Sequence, residues 1–506
     1  MFRRVLLSAL FVCSAGALAG PADVATAAAQ ADLPATVMTL MQAAGIPDDA
    51  IGAIVLRGNQ LLLSHGAGQS MQPASTMKLV TTMVGLDQLG PVFRGRTELR
   101  TSADLIGGTL MGDLVLRGGA DADFNEDALY HMLQTLRNQG IKKIKGDLIV
   151  DRQLFQPARA DLGVAPFDES PEFYYNVIPD ALLLNSNLLH IDLNSTGKRV
   201  KLVMTPALEN VTIASDMTLV DAPCPKWEDG WKLPEAVHGA GGKLKVLLHG
   251  TFPRNCIAAT SINVLDRADY ADRLFRATWR RLGGTFTGQV REAPPTSGMA
   301  GSALTTRLLA QHVSRVLPEV LRDMNKSSDN MLARLLYLSL GSLETDPVLG
   351  SHPILFSVPE NTAQHTEQVI RTWFQRHHID DQGLVLENGS GLSRTERIRP
   401  LQMAAILQAA SQSNWAPEFV TSLPIAAVDG TMRRRLAASP AAARARIKTG
   451  TLNGVVAIAG YVPDANGQQC IIVAIVNNEH AGHGAGKAVT DALIDWVANQ
   501  GQTPAQ

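Results

Sequence analysis

Two apolar hairpin patterns stand at opposite ends of this chain, and an acceptable fold must use both. Near the start, 51–56 and 60–64 read as short strands joined by the turn Arg57-Gly58-Asn59. Near the end, 454–462 and 469–477 read as longer strands turned by Asp464-Ala-Asn-Gly467. Helical patterns bracket them at 33–44, 73–89 and 400–411. After the second hairpin, Val489, Ala492, Leu493, Trp496 and Val497 fall on one helical face. Unpaired strand edges expose backbone donors and acceptors. The simplest arrangement is one antiparallel sheet flanked by helices, assembled from both ends of the chain: an α+β fold.

The intervening residues, 97–292, have a different texture. Strands are expected at 109–117, 146–150, 189–193, 200–204 and 243–249, several with the period of two that marks half-buried antiparallel strands. One helix interrupts them at 126–138, with Gly140 placed to end it. This region reads as a β-rich insertion. From 293 onward the chain is mainly helical, with helices expected at 304–316, 330–340 and 363–376. At 506 residues the chain can hold several domains and a sizeable core.

A formal charge of −2 gives no case for nucleic-acid binding. The short run Lys142-Lys143-Ile144-Lys145 reads as a solvated strand end. Arg3 and Arg4 precede an apolar stretch over 5–18, and Ala17-Leu18-Ala19 has the small-x-small form of a cleavage site. Residues 1–19 therefore read as a signal peptide, with a second cleavage option as late as 29, and the chain is expected in the periplasm. No later apolar run reaches membrane length. No basic amphipathic anchor closes the chain, so any membrane association would be loose. Export to an oxidising compartment favours a disulfide between Cys224 and Cys256, while Cys470, inside an apolar run, reads as a buried thiol. Neither a CxxC pair nor an HExxH helix occurs, so no metal is expected. His480 and His483 sit among glycines and read as loop residues.

Three short motifs carry chemistry: Ser75-Thr-Met-Lys78, Ser328-Asp-Asn330 and Lys448-Thr-Gly450. A serine hydroxyl near neutral pH needs a base beside it, and residues i and i+3 of a helix share a face. Lys78 can therefore present its amine to Ser75. That amine works as a base only when neutral, which burial and a second cation, with Lys448 the candidate, would both favour. The helix start supplies free N–H groups, so the Ser75 N–H is a candidate oxyanion donor. Alone, however, Ser75 and Lys78 are better explained as a helix cap and a solvent lysine. A second S-x-x-K, Ser195-Thr-Gly-Lys198, lies in a turn between strands rather than on a helix. Ser328 could relay a proton between Lys78 and a leaving amine, and the Asn330 amide could hold a substrate peptide group; both are also ordinary residues for a helix start. Lys448, Thr449 and Gly450 sit on an edge-like strand, where glycine admits a second backbone and a substrate can add by β-pairing. Lys448 and Thr449 would meet a terminal carboxylate, and the Thr451 N–H is a candidate second oxyanion donor.

Together these motifs resemble the set found in class A β-lactamases and penicillin-binding proteins. Further residues narrow the resemblance. Lys326-Ser-Ser-Asp-Asn-Met331 is similar to K-x-S-D-N-M, and Asn388-Gly-Ser-Gly-Leu-Ser-Arg394 is similar to D-G-S-G-L-S-R, with Asn388 where Asp is common. The gap between Lys78 and Ser328 is far longer than in class A β-lactamases. The chain thus resembles the D-alanyl-D-alanine carboxypeptidase/endopeptidases of the low-molecular-mass class C, type-4 group. The resemblance implies a transpeptidase-like domain from 32–96 and 293–502, an inserted domain from 97–123 and 188–292, and a nested one at 124–187. It implies acylation of Ser75 by a peptidoglycan stem peptide, with Lys78 as base, Ser328 as relay and Lys448-Thr449 at the carboxylate. It also implies β-lactams as inhibitors and no cofactor. The rival readings are a β-lactamase, against which no E-x-x-L-N pattern lies between Ser328 and Lys448, and a non-catalytic peptidoglycan-binding scaffold.

Overall fold

The computed structural model describes residues 33–294, 306–354 and 361–501. The segment read as a signal peptide lies outside them. The two hairpins do form one sheet. Helix α1 (Ala35–Ala44) leads to strands β1 (Ile51–Arg57) and β2 (Gln60–His65), followed by helix α2 (Lys78–Leu89). Helix α3 (Asn330–Leu340), strands β3 (Arg446–Leu452), β4 (Val455–Pro463) and β5 (Gln469–Asn477), and helix α4 (Ala485–Ala498) come from the far end of the chain. The strand order is β2-β1-β5-β4-β3, antiparallel throughout.

Both faces of this sheet are covered, so its central strands are apolar through their interiors, with polar residues only at strand ends such as Arg57, Gln469 and Asn477. Val473 and Ile475 of β5 join the core beneath α2 and α3, while Ile472, Ala474 and Val476 join the core beneath α1 and α4. Strand β3 is the edge. Its first residues are covered by the 424–426 segment: Ala426 N–H donates to Ala445 O, and Ile447 N–H donates to Pro424 O. Backbone groups alternate in direction along an antiparallel strand, so the N–H and C=O of Thr449 and Thr451 point to the same open side.

Outside this sheet the chain departs from the sequence expectation in three places. Leu148–Asp151 pairs in parallel with Leu114–Gly119, not antiparallel, and Glu126–Asn138 is the crossover helix that a parallel pair requires. A further helix, Arg267–Arg281, lies within the inserted region. Its signals were present: Asp266 caps it by accepting from Ala268 N–H, and Tyr270, Ala271, Leu274, Phe275, Thr278 and Trp279 form its buried stripe. Finally, the helix expected at 304–316 is instead the strand Arg307–Val313, paired antiparallel with Arg96–Thr101. Leu, Ala, Gln and Arg favour helix, but the unpaired edge of Arg96–Thr101 overrides a weak local preference. Cys224 and Cys256 are bonded, and Cys470 is a buried thiol. Among the described residues no helix is long and apolar enough to cross a membrane.

Candidate active site

The three motifs converge at one end of the sheet. Ser75 lies in a single 3-10 turn, Ala74–Met77, that runs directly into α2. Glycines clamp this turn from both sides. A Cβ on Gly450 of β3 would lie 2.7 Å from Pro73 O and 3.0 Å from Ser75 N. A Cβ on Gly391 would fall within bonding distance of Ala74 O. The backbone that glycine admits at 450 is therefore that of the Ser75 turn.

Lys78 begins α2 and is wholly buried. Its Nζ is 3.0 Å from Ser75 Oγ, 2.7 Å from Asn330 Oδ1 and 2.5 Å from the Ser390 carbonyl oxygen. Burial lowers its pKa from 10.5 to about 7, and the Arg334 guanidinium adds to the lowering while Asp329 and Glu396 oppose it. Lys448, expected as the cation acting on Lys78, is itself buried and held well below its ordinary value, first by burial and then by Lys78. Neither lysine is the solvent-exposed side chain that each motif alone allows.

Ser328 ends the helix Leu317–Ser327 in the left-handed conformation, φ +62°, a region costly for a residue with a Cβ. That turn hands the capping of α3 to Asp329, whose Oδ1 accepts from Leu332 N–H. Ser328 Oγ instead receives a hydrogen bond from Lys448 Nζ at 2.9 Å. The hydrogen bonds thus join Ser328 to Lys448 and Lys78 to Asn330, rather than Ser328 to Lys78. Asn330 has both amide atoms engaged: Oδ1 by Lys78, while Nδ2 donates to the Tyr175 carbonyl. This contact brings the inserted region to the site. Thr449 Oγ1 donates to Thr431 Oγ1 at 2.7 Å, and the turn bearing Thr431 is tied to the Ser328 helix through Lys326 and Asp429. Thr451 is exposed on the open edge.

Several groups here were not singled out from sequence: Ser390, Arg334, Thr431, Tyr175 and Glu396. The 388–394 segment carried a resemblance but no role. In it Asn388 Oδ1 accepts from Ser390 N–H and Oγ–H, and Nδ2 donates to Leu392 O. An aspartate could not make that last contact. Ser195 is buried and donates to the Pro253 carbonyl while accepting from Cys256 N–H, with Lys198 exposed, so the second S-x-x-K is structural. A cleft of about 640 Å³ lies along the 160–179 segment and touches Arg334 and Asn388 but not Ser75. The convergence of buried amines and hydroxyls, rather than cavity size, marks this cluster as the candidate reactive centre.

A serine beside a buried lysine, with two further motifs closing on it, matches a known pattern over nearly the whole chain. The model of the D-Ala-D-Ala carboxypeptidase 3 (S13) family covers residues 34–500. The chain belongs to this family. It is 27% identical over 457 residues to the D-alanyl-D-alanine carboxypeptidase DacB of Haemophilus influenzae, spanning 87% of this chain and 88% of that one. It is 28% identical over 457 residues to the D-alanyl-D-alanine carboxypeptidase of an Actinomadura species, spanning 86% and 78%. The crystal structure of penicillin binding protein 4 from Haemophilus influenzae superposes with a TM-score of 0.73 at 25% identity, covering 92% of this chain and 99% of that chain. That protein has also been solved with a β-lactam bound. The chain is a serine D-Ala-D-Ala carboxypeptidase.

Proposed function

We propose that Ser75 attacks the carbonyl between the two terminal D-alanines of a peptidoglycan stem peptide, with neutral Lys78 as the base. The observation that carries this reading is the environment of the Lys78 amine. A neutral amine has two N–H bonds and one lone pair. Asn330 Oδ1 and the Ser390 carbonyl take the two N–H bonds, which leaves the lone pair for the Ser75 hydroxyl at 3.0 Å. A pKa of about 7 keeps a large neutral fraction at physiological pH.

The substrate backbone adds along the open edge of β3. The Ser75 and Thr451 N–H groups then receive the developing oxyanion. The hydroxyls of Thr449 and Thr431 receive the terminal carboxylate, with Lys448 placed beneath them. The proton that Lys78 took from Ser75 is then delivered to the leaving D-alanine amine with the Ser328 hydroxyl as the relay, and Lys448 orients that hydroxyl by donating to Ser328 Oγ. Water then cleaves the ester and restores Ser75. The same attack on a cross-linked peptide is endopeptidase chemistry, and a β-lactam would acylate Ser75 in place of the dipeptide. The signal-peptide reading of residues 1–19 places this activity in the periplasm.

Labelled penicillin tests the assignment. Wild-type protein is expected to carry the label covalently on Ser75, and Ser75→Ala to carry none while Ser195→Ala labels normally. Label retained by Ser75→Ala would refute the nucleophile. Rapid catalytic turnover of penicillin would favour a β-lactamase, and absence of any label would favour a scaffold.

A further inference from the structure

Lys78 owes its geometry to a loop, and the loop is organised around one buried carboxylate. Glu396 is fully buried. Its Oε1 accepts from the backbone N–H of Gly389 at 2.7 Å, Asn388 at 3.0 Å and Glu387 at 3.3 Å, and its Oε2 accepts from Gly391 N–H at 2.9 Å. All four contacts are donors, so a proton on the carboxyl would have no acceptor among them and the anion is the form that fits. Burial, with the Glu387 charge beside it, holds the Glu396 carboxyl above its ordinary value, while the backbone donors oppose that rise.

The loop held in this way does two things at the reactive centre. Its Ser390 carbonyl is the 2.5 Å acceptor for Lys78 Nζ. Its Gly391 packs directly on the backbone of Ala74 and Ser75. Gly389 and Gly391 both take positive φ, +69° and +80°, so the loop is sharply turned, and the Asn388 side chain braces it from within through Ser390 and Leu392. Gly389 O also accepts from Thr81 Oγ1 on α2, which fixes the loop to the helix that carries Lys78.

We propose that Glu396 is a positioning residue, whose buried carboxylate gathers the 387–391 backbone so that the Ser390 carbonyl holds the Lys78 amine against Ser75. This rests on the reading of Lys78 as the base. Glu396 is also an anion near a buried amine. The charged groups that face Lys78 are Asp329 and Glu396, which favour its ammonium form, and Arg334, which opposes it; the Lys448 amine is itself held well below its ordinary value. Glu387 and Arg334 are the charged neighbours of Glu396 itself. Removing the Glu396 charge lowers the proton affinity of Lys78, and losing the Ser390 acceptor lowers it further.

The test is the second-order rate of acylation by a fluorescent penicillin from pH 5 to 9, for wild type, Glu396→Gln and Glu396→Asp, with folding checked by thermal melting. Glutamine keeps the shape but turns an NH₂ donor toward backbone donors. It should cut the plateau rate by about a hundredfold, as misplacement of a reacting group by roughly 1 Å does, and move the acid-limb midpoint about one pH unit lower. Aspartate keeps the charge on a shorter arm and should lower the plateau while holding the midpoint nearer that of wild type. A folded Glu396→Gln protein with wild-type plateau and midpoint overturns the proposal. So does a reduced plateau that only tracks the folded fraction, or a midpoint that rises. If wild-type protein is not acylated at Ser75, the underlying reading of the site fails instead, and the two failures are told apart by the wild-type arm alone.

Discussion

Replacing Lys78 by methionine should change stability in a way that depends on pH, and the size of the effect follows from burial. Lys78 has its pKa lowered from 10.5 to about 7 in the fold. At roughly 1.4 kcal/mol per pH unit, charging this amine inside the protein costs about 5 kcal/mol. Between pH 7 and 10.5 the unfolded chain keeps the Lys78 proton and the folded chain has released it. The unfolded state therefore binds more protons, and stability rises with pH across that window. The Lys78 contribution destabilises the native state by about 4 kcal/mol at pH 7 and by about 2 kcal/mol at pH 9. Methionine has similar length and no proton, so this contribution disappears. A separate, pH-independent loss opposes the gain, because Asn330 Oδ1 and the Ser390 carbonyl lose their donor, at about 1–3 kcal/mol each. The pH dependence separates the two. Urea unfolding of both proteins at pH 7 and pH 9 should give a Lys78→Met minus wild-type difference that falls by about 2 kcal/mol as the pH rises. Lys448 is present in both proteins and largely cancels. A difference that stays constant within about 0.5 kcal/mol would show that Lys78 is not depressed, and the base assignment would lose its physical basis.

Two further substitutions probe the framework. Gly450→Ala places a Cβ 2.7 Å from Pro73 O, with backbone on the other side that cannot rotate away. It should slow penicillin acylation by about a hundredfold with a small change in melting temperature, and a rate within threefold of wild type would refute the clamp. Asp180 is buried and accepts from Arg152 Nε at 2.9 Å and Arg267 Nη1 at 2.7 Å, both also buried. Asp180→Ala takes one carboxylate from two buried guanidinium groups, leaving Arg152 with Glu292 and Arg267 with Asp161, and should cost about 1–3 kcal/mol by chemical denaturation; no measurable loss would mean that water reaches them.

The central sheet was legible because its strands are buried on both faces and thus read as apolar runs bounded by turns, as in Cys470 to Val476. The helix at 126–138 was legible from its cap and its spacing, and the structure gives it the same limits, Glu126–Asn138. Arg307–Val313 was not, because its pairing partner at 96–101 is distant in sequence and local propensity points the other way. Nor was the parallel pairing of Leu114–Gly119 with Leu148–Asp151, since alternation shows that a strand has one buried face but not the direction of its neighbour.

The sequence by itself determined the chemical parts: a serine with a lysine one turn on, two companion motifs, and a strand end with a glycine for close approach. Side-chain type and spacing of three or four residues suffice for that, because they act within one turn of helix or along one strand. Only the tertiary structure decided what those parts do to each other. It buried Lys78 and Lys448 completely, paired Ser328 with Lys448, left Asn330 holding Lys78, and brought Ser390 and Glu396 to the amine. Proton affinity depends on how much water and charge surround a group. Those surroundings come from segments hundreds of residues apart, which only the folded chain brings together.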